Sequence, residues 1–275
     1  MPKENFYKVS LPKGYTEHPI FTDMDLMMET YDFLSYNSFG FMPNGLPGEW
    51  VNYETYIFSS LKGTIESIKM LLEAAHINDA FAVLRKYFDE IMIAVFYVVY
   101  CQDQITVNRD KLLYTVQKLK DWRDGKAKSP KYDAIIKYLK RSKSFSDLIG
   151  KFVFEKDKGF GKIRSYLDDN MHINRYILML NNDNELHNDR RVMLLNRFHN
   201  YLNAVFSFHF ASVIFTTPHY LTATYYRDCL ESGETPKEGS QNWVASIAQE
   251  AFNKFIKPMP SIAEFLKKNT FLEIK

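Results

Sequence analysis

The segment Asp79–Cys101 limits what this chain can fold into more than any other. After Asp79 it carries charge only at Arg85, Lys86, Asp89 and Glu90, and from Ile91 to Cys101 every side chain is apolar or aromatic. An uncharged run of that length is about half of the roughly 20 residues that span a bilayer. A helix apolar on all sides must instead be surrounded by other helices, so this segment is expected at the centre of a bundle. Asn78 stands just before it and suits an N-cap, because its side chain can accept a bond from an orphan amide of the first turn.

The surrounding sequence supplies partners for such a helix. Apolar residues recur three and four apart over Asn52–Ala75, at Tyr56, Ile57, Leu61, Ile65, Ile68, Leu71 and Leu72. Further helices are expected at Arg109–Arg123, Lys131–Arg141, Ser144–Phe154, Lys162–Leu180 and Glu185–Thr216. Shorter ones follow at His219–Glu231, Gln241–Ile256 and Ser261–Lys268, separated by Gly233, Pro236, Gly239, Pro258 and Pro260. No run alternates as a strand would, and no internal repeat has a fixed period. The expected fold class is all-α: an antiparallel helical bundle with short C-terminal helices, forming one domain over residues 49–275. Residues 1–48 are dense in Pro and Gly, and are expected to form an irregular aromatic-rich arm packed on the bundle, with a short helix at Asp23–Ser35.

Aromatic residues make up 16% of the chain against only 11 glycines, which favours thick packing layers over disorder. Those same aromatics would also serve as interface anchors, so a homodimer or a partner protein is one expectation. The two cysteines, Cys101 and Cys229, provide neither a disulfide framework nor a cysteine-based zinc site, which suits a reducing cytoplasm. The first 20 residues lack the apolar core of a signal peptide, and no membrane association is expected.

Net charge is only +2, but it is unevenly spread. Between Arg109 and Lys143 there are twelve Lys/Arg and four Asp/Glu. Such a segment could attract an anionic polymer through Lys118, Lys120, Arg123, Lys126 and Lys128, or could simply be a solvated helix end and loop.

The chain has no P-loop, no dinucleotide fingerprint, no nucleophile elbow and no kinase signatures. Its seven histidines do not fall at metal-ligand spacing, so neither metal nor cofactor is expected. The stretch from Lys162 to Arg175 is the most suggestive. If helical throughout, it places Arg164, Asp168, His172 and Arg175 on one stripe, with Ile163, Leu167, Met171 and Leu178 towards the core. An imidazole moves protons near neutral pH and a guanidinium stabilises charge developing on phosphate, so this stripe could act on a phosphodiester. It could equally be a solvated face of paired charges. Arg85 and Asp89, one turn apart on the greasy helix, need partners if buried: each other, or the His172 helix across a polar pocket. His187, Arg190 and Arg191 put positive charge at a helix start, against the macrodipole, where an acidic neighbour or an anion would offset it.

Three segments carry a resemblance. Gly48–Tyr56 running on to Ile77–Asp89, then Asp169–Asn174, and the tail from Glu231 through Gln241–Ala245 to Pro260–Leu266, resemble uncharacterised bacterial all-helical proteins with a HEPN-like bundle. That resemblance implies a fold found in RNases of toxin–antitoxin and phage-defence systems and in non-catalytic relatives. Active members carry an Arg, four to six residues and then a His, often as dimers. Here seven residues separate Arg164 from His172, so the spacing is not met. The resemblance implies a helical protein that binds RNA and, if catalytic, cleaves it without metal. His172 would be the acid–base group, with Arg164, Asp168, Asn174 and Arg85 around it. The alternative is a non-catalytic dimerisation or protein-interaction module.

Overall fold

The computed structural model describes residues 11–40, 53–105, 109–154, 158–182 and 190–275, and over these the chain is helical. The helices are α1 (Lys13–Thr16), α2 (Ile20–Gly40), α3 (Tyr53–Glu73), α4 (Ile77–Ile105), α5 (Arg109–Arg123), α6 (Tyr132–Leu139) and α7 (Ser146–Ile149). They continue as α8 (Gly159–Met171), α9 (Tyr176–Met179), α10 (Arg191–Thr216), α11 (Thr224–Ser232), α12 (Ser246–Ala251) and α13 (Pro260–Asn269), with a π turn at Phe252–Ile256 extending α12. The described residues contain no strand; a single antiparallel bridge joins Thr222 to Val244. None of the described helices is long and apolar enough to cross a membrane.

The greasy segment takes the central place its composition demands. α4 packs against α3, α5, α6, α8 and α10, and Phe81, Leu84, Tyr87, Phe88, Ile91 and Met92 have almost no exposed surface. α10 is the second hub, buried without interruption from Val205 to Ile214. Its Phe208 gathers Phe145, Phe152, Phe154 and Phe160 at ring separations of 5.1–6.5 Å. Edge-on pairs at these distances add about 0.5–1.5 kcal/mol each beyond area burial. The aromatic excess thus goes largely into filling the core.

Several expectations shift. The arm is more helical than its turn residues imply, because Pro and Gly are confined to its ends. Nothing between Pro19 and Gly40 breaks a helix, so α2 runs 21 residues rather than the short Asp23–Ser35, and it packs along α3. Asn78 does not cap α4. It lies inside the first turn, and the Asn78 and Asp79 amides donate instead to the Asn182 side chain, at 2.8 and 3.2 Å. A remote Asn thus takes the capping role expected of Asn78. The helix expected over Ser144–Phe154 is only the four-residue α7, and that over Lys162–Leu180 divides into α8 and α9. α10 is described from Arg191, which is buried in its first turn; residues 185–189, including His187, lie outside the described residues.

One hydrogen-bonded polar group lies deep in the core. The Tyr31 hydroxyl meets the Tyr87 hydroxyl at 2.7 Å and His209 Nδ1 at 2.8 Å. Burial lowers the His209 pKa to about 3, so its ring is neutral at physiological pH. Both cysteines are buried and free.

Candidate nucleic-acid interface

The charges on the greasy helix find partners across the bundle. Arg85, whose side chain is only 7% exposed, pairs with Asp89 one turn along α4 and with Asp168 of α8 at 2.5 Å. Asp168 also takes Arg164, at 3.2 Å. Burial opposes charge on Arg85, but the two carboxylates outweigh it and push its pKa up. The Arg164 guanidinium lies 4.5 Å from the Tyr132 ring centroid of α6. A cleft of about 430 Å³ opens beside this cluster, with Asp89 and Met92 on one side, Arg164 on another, and Lys131 and Tyr132 facing them.

Arg85, Asp168 and Arg164 are therefore brought together, while His172 and Asn174 are not among them. α8 stops at Met171, with His172 as its C-cap, so the stripe ends before reaching His172 and Arg175. The stop is a paired one: the Ile173 amide donates to Asn170 O at 3.3 Å and the Asn174 amide to Asp169 O at 3.1 Å. This geometry needs a left-handed residue between the two turns, normally glycine. α11 ends in the same way on Gly233, at φ 74°. In α8 the position is held by Ile173 at φ 49°. The left-handed region costs a non-glycine residue about 1–2 kcal/mol, and a β-branched one is least suited to it. The strain is not offset by burial, since Ile173 is 47% exposed. Met171, expected towards the core, is the last helical residue of α8 and is exposed too; Ile163, Leu167 and Leu178 are buried as expected. Ile173→Gly should accordingly raise unfolding free energy by about 1 kcal/mol in a urea titration. A loss of stability would show that the Ile173 side chain packs more than its exposure indicates.

The residues expected to bind nucleic acid lie on the last turns of α5 and the loop after it. Lys118 is exposed, its ammonium 4.7 Å from the Tyr114 ring centroid, and Tyr114 raises its pKa. Arg123 and Lys126 flank Asp124 at 3.1 and 3.5 Å, and Arg123 foremost holds that carboxyl below its ordinary range. Lys128 is exposed and Lys120 half-buried. Beyond α6 a second cleft, of about 630 Å³, is lined by Lys137, Arg141 and Lys143 around Asp103. Basic side chains thus border both sides of α6. No group of acidic, His and Cys side chains among the described residues is placed to hold a metal ion.

The chain matches no family model, no curated protein and no solved structure. The site therefore rests on its own residues alone. Lys131 and Tyr132 are not among the candidates that the sequence suggests. Lys131 falls inside the basic segment, but only the docking of α6 and α8 on α4 shows that it shares a cleft with Arg164.

Proposed function

We propose that this chain is a HEPN-like helical protein whose role is to bind RNA along the basic border of α5 and α6. The supporting observation is that Lys131 and Arg164 line one cleft, next to the exposed Lys126 and Lys128. Phosphates neutralised by such side chains release counterions, giving affinity without sequence readout. Exposed Tyr114 beside Lys118 adds a ring on which an unpaired base can stack. His172, exposed at the end of α8, is the residue that would move a proton if the bound RNA is cleaved. It lies eight residues beyond Arg164, about 12 Å along a helix axis. Arg164 already serves Asp168. Binding is therefore the function proposed, with cleavage as an additional outcome to be measured.

The test is the salt dependence of single-stranded RNA binding. The variant Lys126→Ser/Lys128→Ser/Lys131→Ser changes only exposed side chains. It should bind more weakly and flatten the log–log salt slope by about 2, since each phosphate contact contributes about 0.7 on single strands. An unchanged slope would rule out this border as the RNA site. The same RNA pool incubated without metal, beside His172→Ala, reports on chemistry: cleavage lost while binding persists would assign His172 as the acid–base residue.

A further inference from the structure

We propose that the cleft between α6 and the last turn of α4 binds a small phosphorylated polyol, of the sugar phosphate class. The cleft holds about 630 Å³, within the range of about 300–1,000 Å³ that small-molecule sites occupy. One wall is a face of α6, with Ala134, Lys137 and Tyr138, continued by Arg141 just beyond its end. Asp103 and Gln104 of α4 form the other, and Lys143 comes from the turn leading to α7.

The three cations set the charge of the occupant. Among the described residues, none of the Lys137, Arg141 and Lys143 side chains has an ion pair or a hydrogen bond. By contrast, Arg123 and Lys126 share Asp124, and Arg164 serves Asp168. The carboxylate at hand is used otherwise: Asp103 Oδ1 accepts from Ser144 at 2.6 Å and Oδ2 from Tyr138 at 3.0 Å. Like charges gathered without a counterion repel one another, so the cleft favours an anion. Three cations and one carboxylate leave it at +2, the counterpart of a terminal phosphate, which carries about −1.5 to −2 near pH 7. A nucleic acid strand fits less well, because Asp103 would repel the phosphate next along it.

The turn that carries two of the cations is held in place. Ser142 is buried with its Oγ 3.1 Å from Ser144 Oγ, and Ser144 is bonded in turn to Asp103. Arg141 and Lys143 flank Ser142, so their backbone is fixed before a ligand arrives, which lowers the ordering cost of binding. A phosphate fills only part of the cleft, and the groups beside it suit a hydroxylated body. Asp103 and Gln104 already hydrogen-bond one hydroxyl, that of Tyr138, whose ring is braced edge-on by Phe96 and Tyr100. The site does not depend on the RNA-binding reading, which rests on Lys126, Lys128 and Lys131.

Calorimetric titration of the full chain at low ionic strength tests it, with glucose 6-phosphate and ribose 5-phosphate as probes. Both should bind, glucose should not, and inorganic phosphate should bind about tenfold or more weakly than either. Affinity should fall between pH 7.5 and pH 5.5 as the phosphate gains a proton near pH 6; no histidine lines the cleft to produce that fall. Lys137→Ser/Arg141→Ser changes two exposed side chains and should weaken binding about tenfold or more with an unchanged circular dichroism spectrum. Lys126→Ser/Lys128→Ser/Lys131→Ser should bind both probes as the wild type does, which separates this site from the RNA border. Absence of binding by both sugar phosphates, or binding untouched by Lys137→Ser/Arg141→Ser, would overturn the proposal. Equal affinity for inorganic phosphate, or tighter binding of adenosine 5′-monophosphate, would overturn the polyol assignment.

Discussion

Asp168→Ala should lower the free energy of unfolding by about 3 kcal/mol, because the loss falls on a buried guanidinium rather than on the aspartate itself. Arg85 is almost wholly enclosed and is held by two carboxylates, Asp89 and Asp168. Asp168 is also the group that separates Arg85 from Arg164 electrically. Its removal leaves one buried guanidinium half-paired and a second without its carboxylate nearby, in a region where the apolar Phe88 ring offers no compensation beyond a weak cation–π contact at 6.0 Å. A broken buried pair costs about 3–5 kcal/mol; the lower end applies because Asp168 is about one-third exposed and Asp89 stays in place. Arg85→Met is the informative contrast. It replaces the buried charge with apolar volume and leaves carboxylates that water can reach, so its cost should be about 1 kcal/mol or less. Urea denaturation of both variants decides the matter. Equal, small losses would show that the cluster behaves as an ordinary surface ion pair, worth under about 1 kcal/mol.

The fate of that cluster shows which parts of the structure are legible in the sequence. The centrality of α4 is readable, since an all-apolar helix has only one kind of environment open to it. So is the need to pair Arg85, because a lone buried charge is costly. The identity of its second partner is not, because the pairing of Arg85 with Asp168 is set by how α8 crosses α4, and helical spacing within one segment carries no such information. The end of α8 is hidden for a different reason. A helix stop is normally marked by glycine or asparagine, and here Ile173 takes the left-handed position, so the apolar period runs on to Leu180 without a visible break. The early end of α8 adds to the eight residues that already separate His172 from Arg164. α2 is underestimated for the opposite reason: the turn residues sit at the two ends of residues 1–48 and say nothing of the uninterrupted stretch between them.

A second large effect is expected from a carboxyl group that carries no signal in the sequence. Glu54, in the first turn of α3, keeps some exposed surface as a residue, but its carboxyl group lies within the protein and accepts a hydrogen bond from the Tyr220 hydroxyl at 2.8 Å. Burial raises its pKa to about 7 from 4.5, and the Tyr220 bond offsets only part of that shift. The sign comes from linkage. The folded state favours the protonated acid, so below about pH 4.5 the group costs nothing, and the cost grows as pH rises until it levels off above about pH 7. A shift of that size corresponds to roughly 3 kcal/mol lost at alkaline pH. The total stability curve also includes carboxylates such as Asp23, whose pKa is lowered by His199 and Lys254 against the opposing effect of burial, and which lose their stabilising contribution in acid. The isolating measurement is therefore a difference. Glu54→Gln keeps an acceptor for Tyr220 and cannot ionise, so it should match the wild type near pH 4.5 and exceed it by about 2–3 kcal/mol at pH 8. A difference that stays constant between those two values would mean that the Glu54 carboxyl is hydrated well enough to ionise freely, and that the first turn of α3 opens to solvent in the native state.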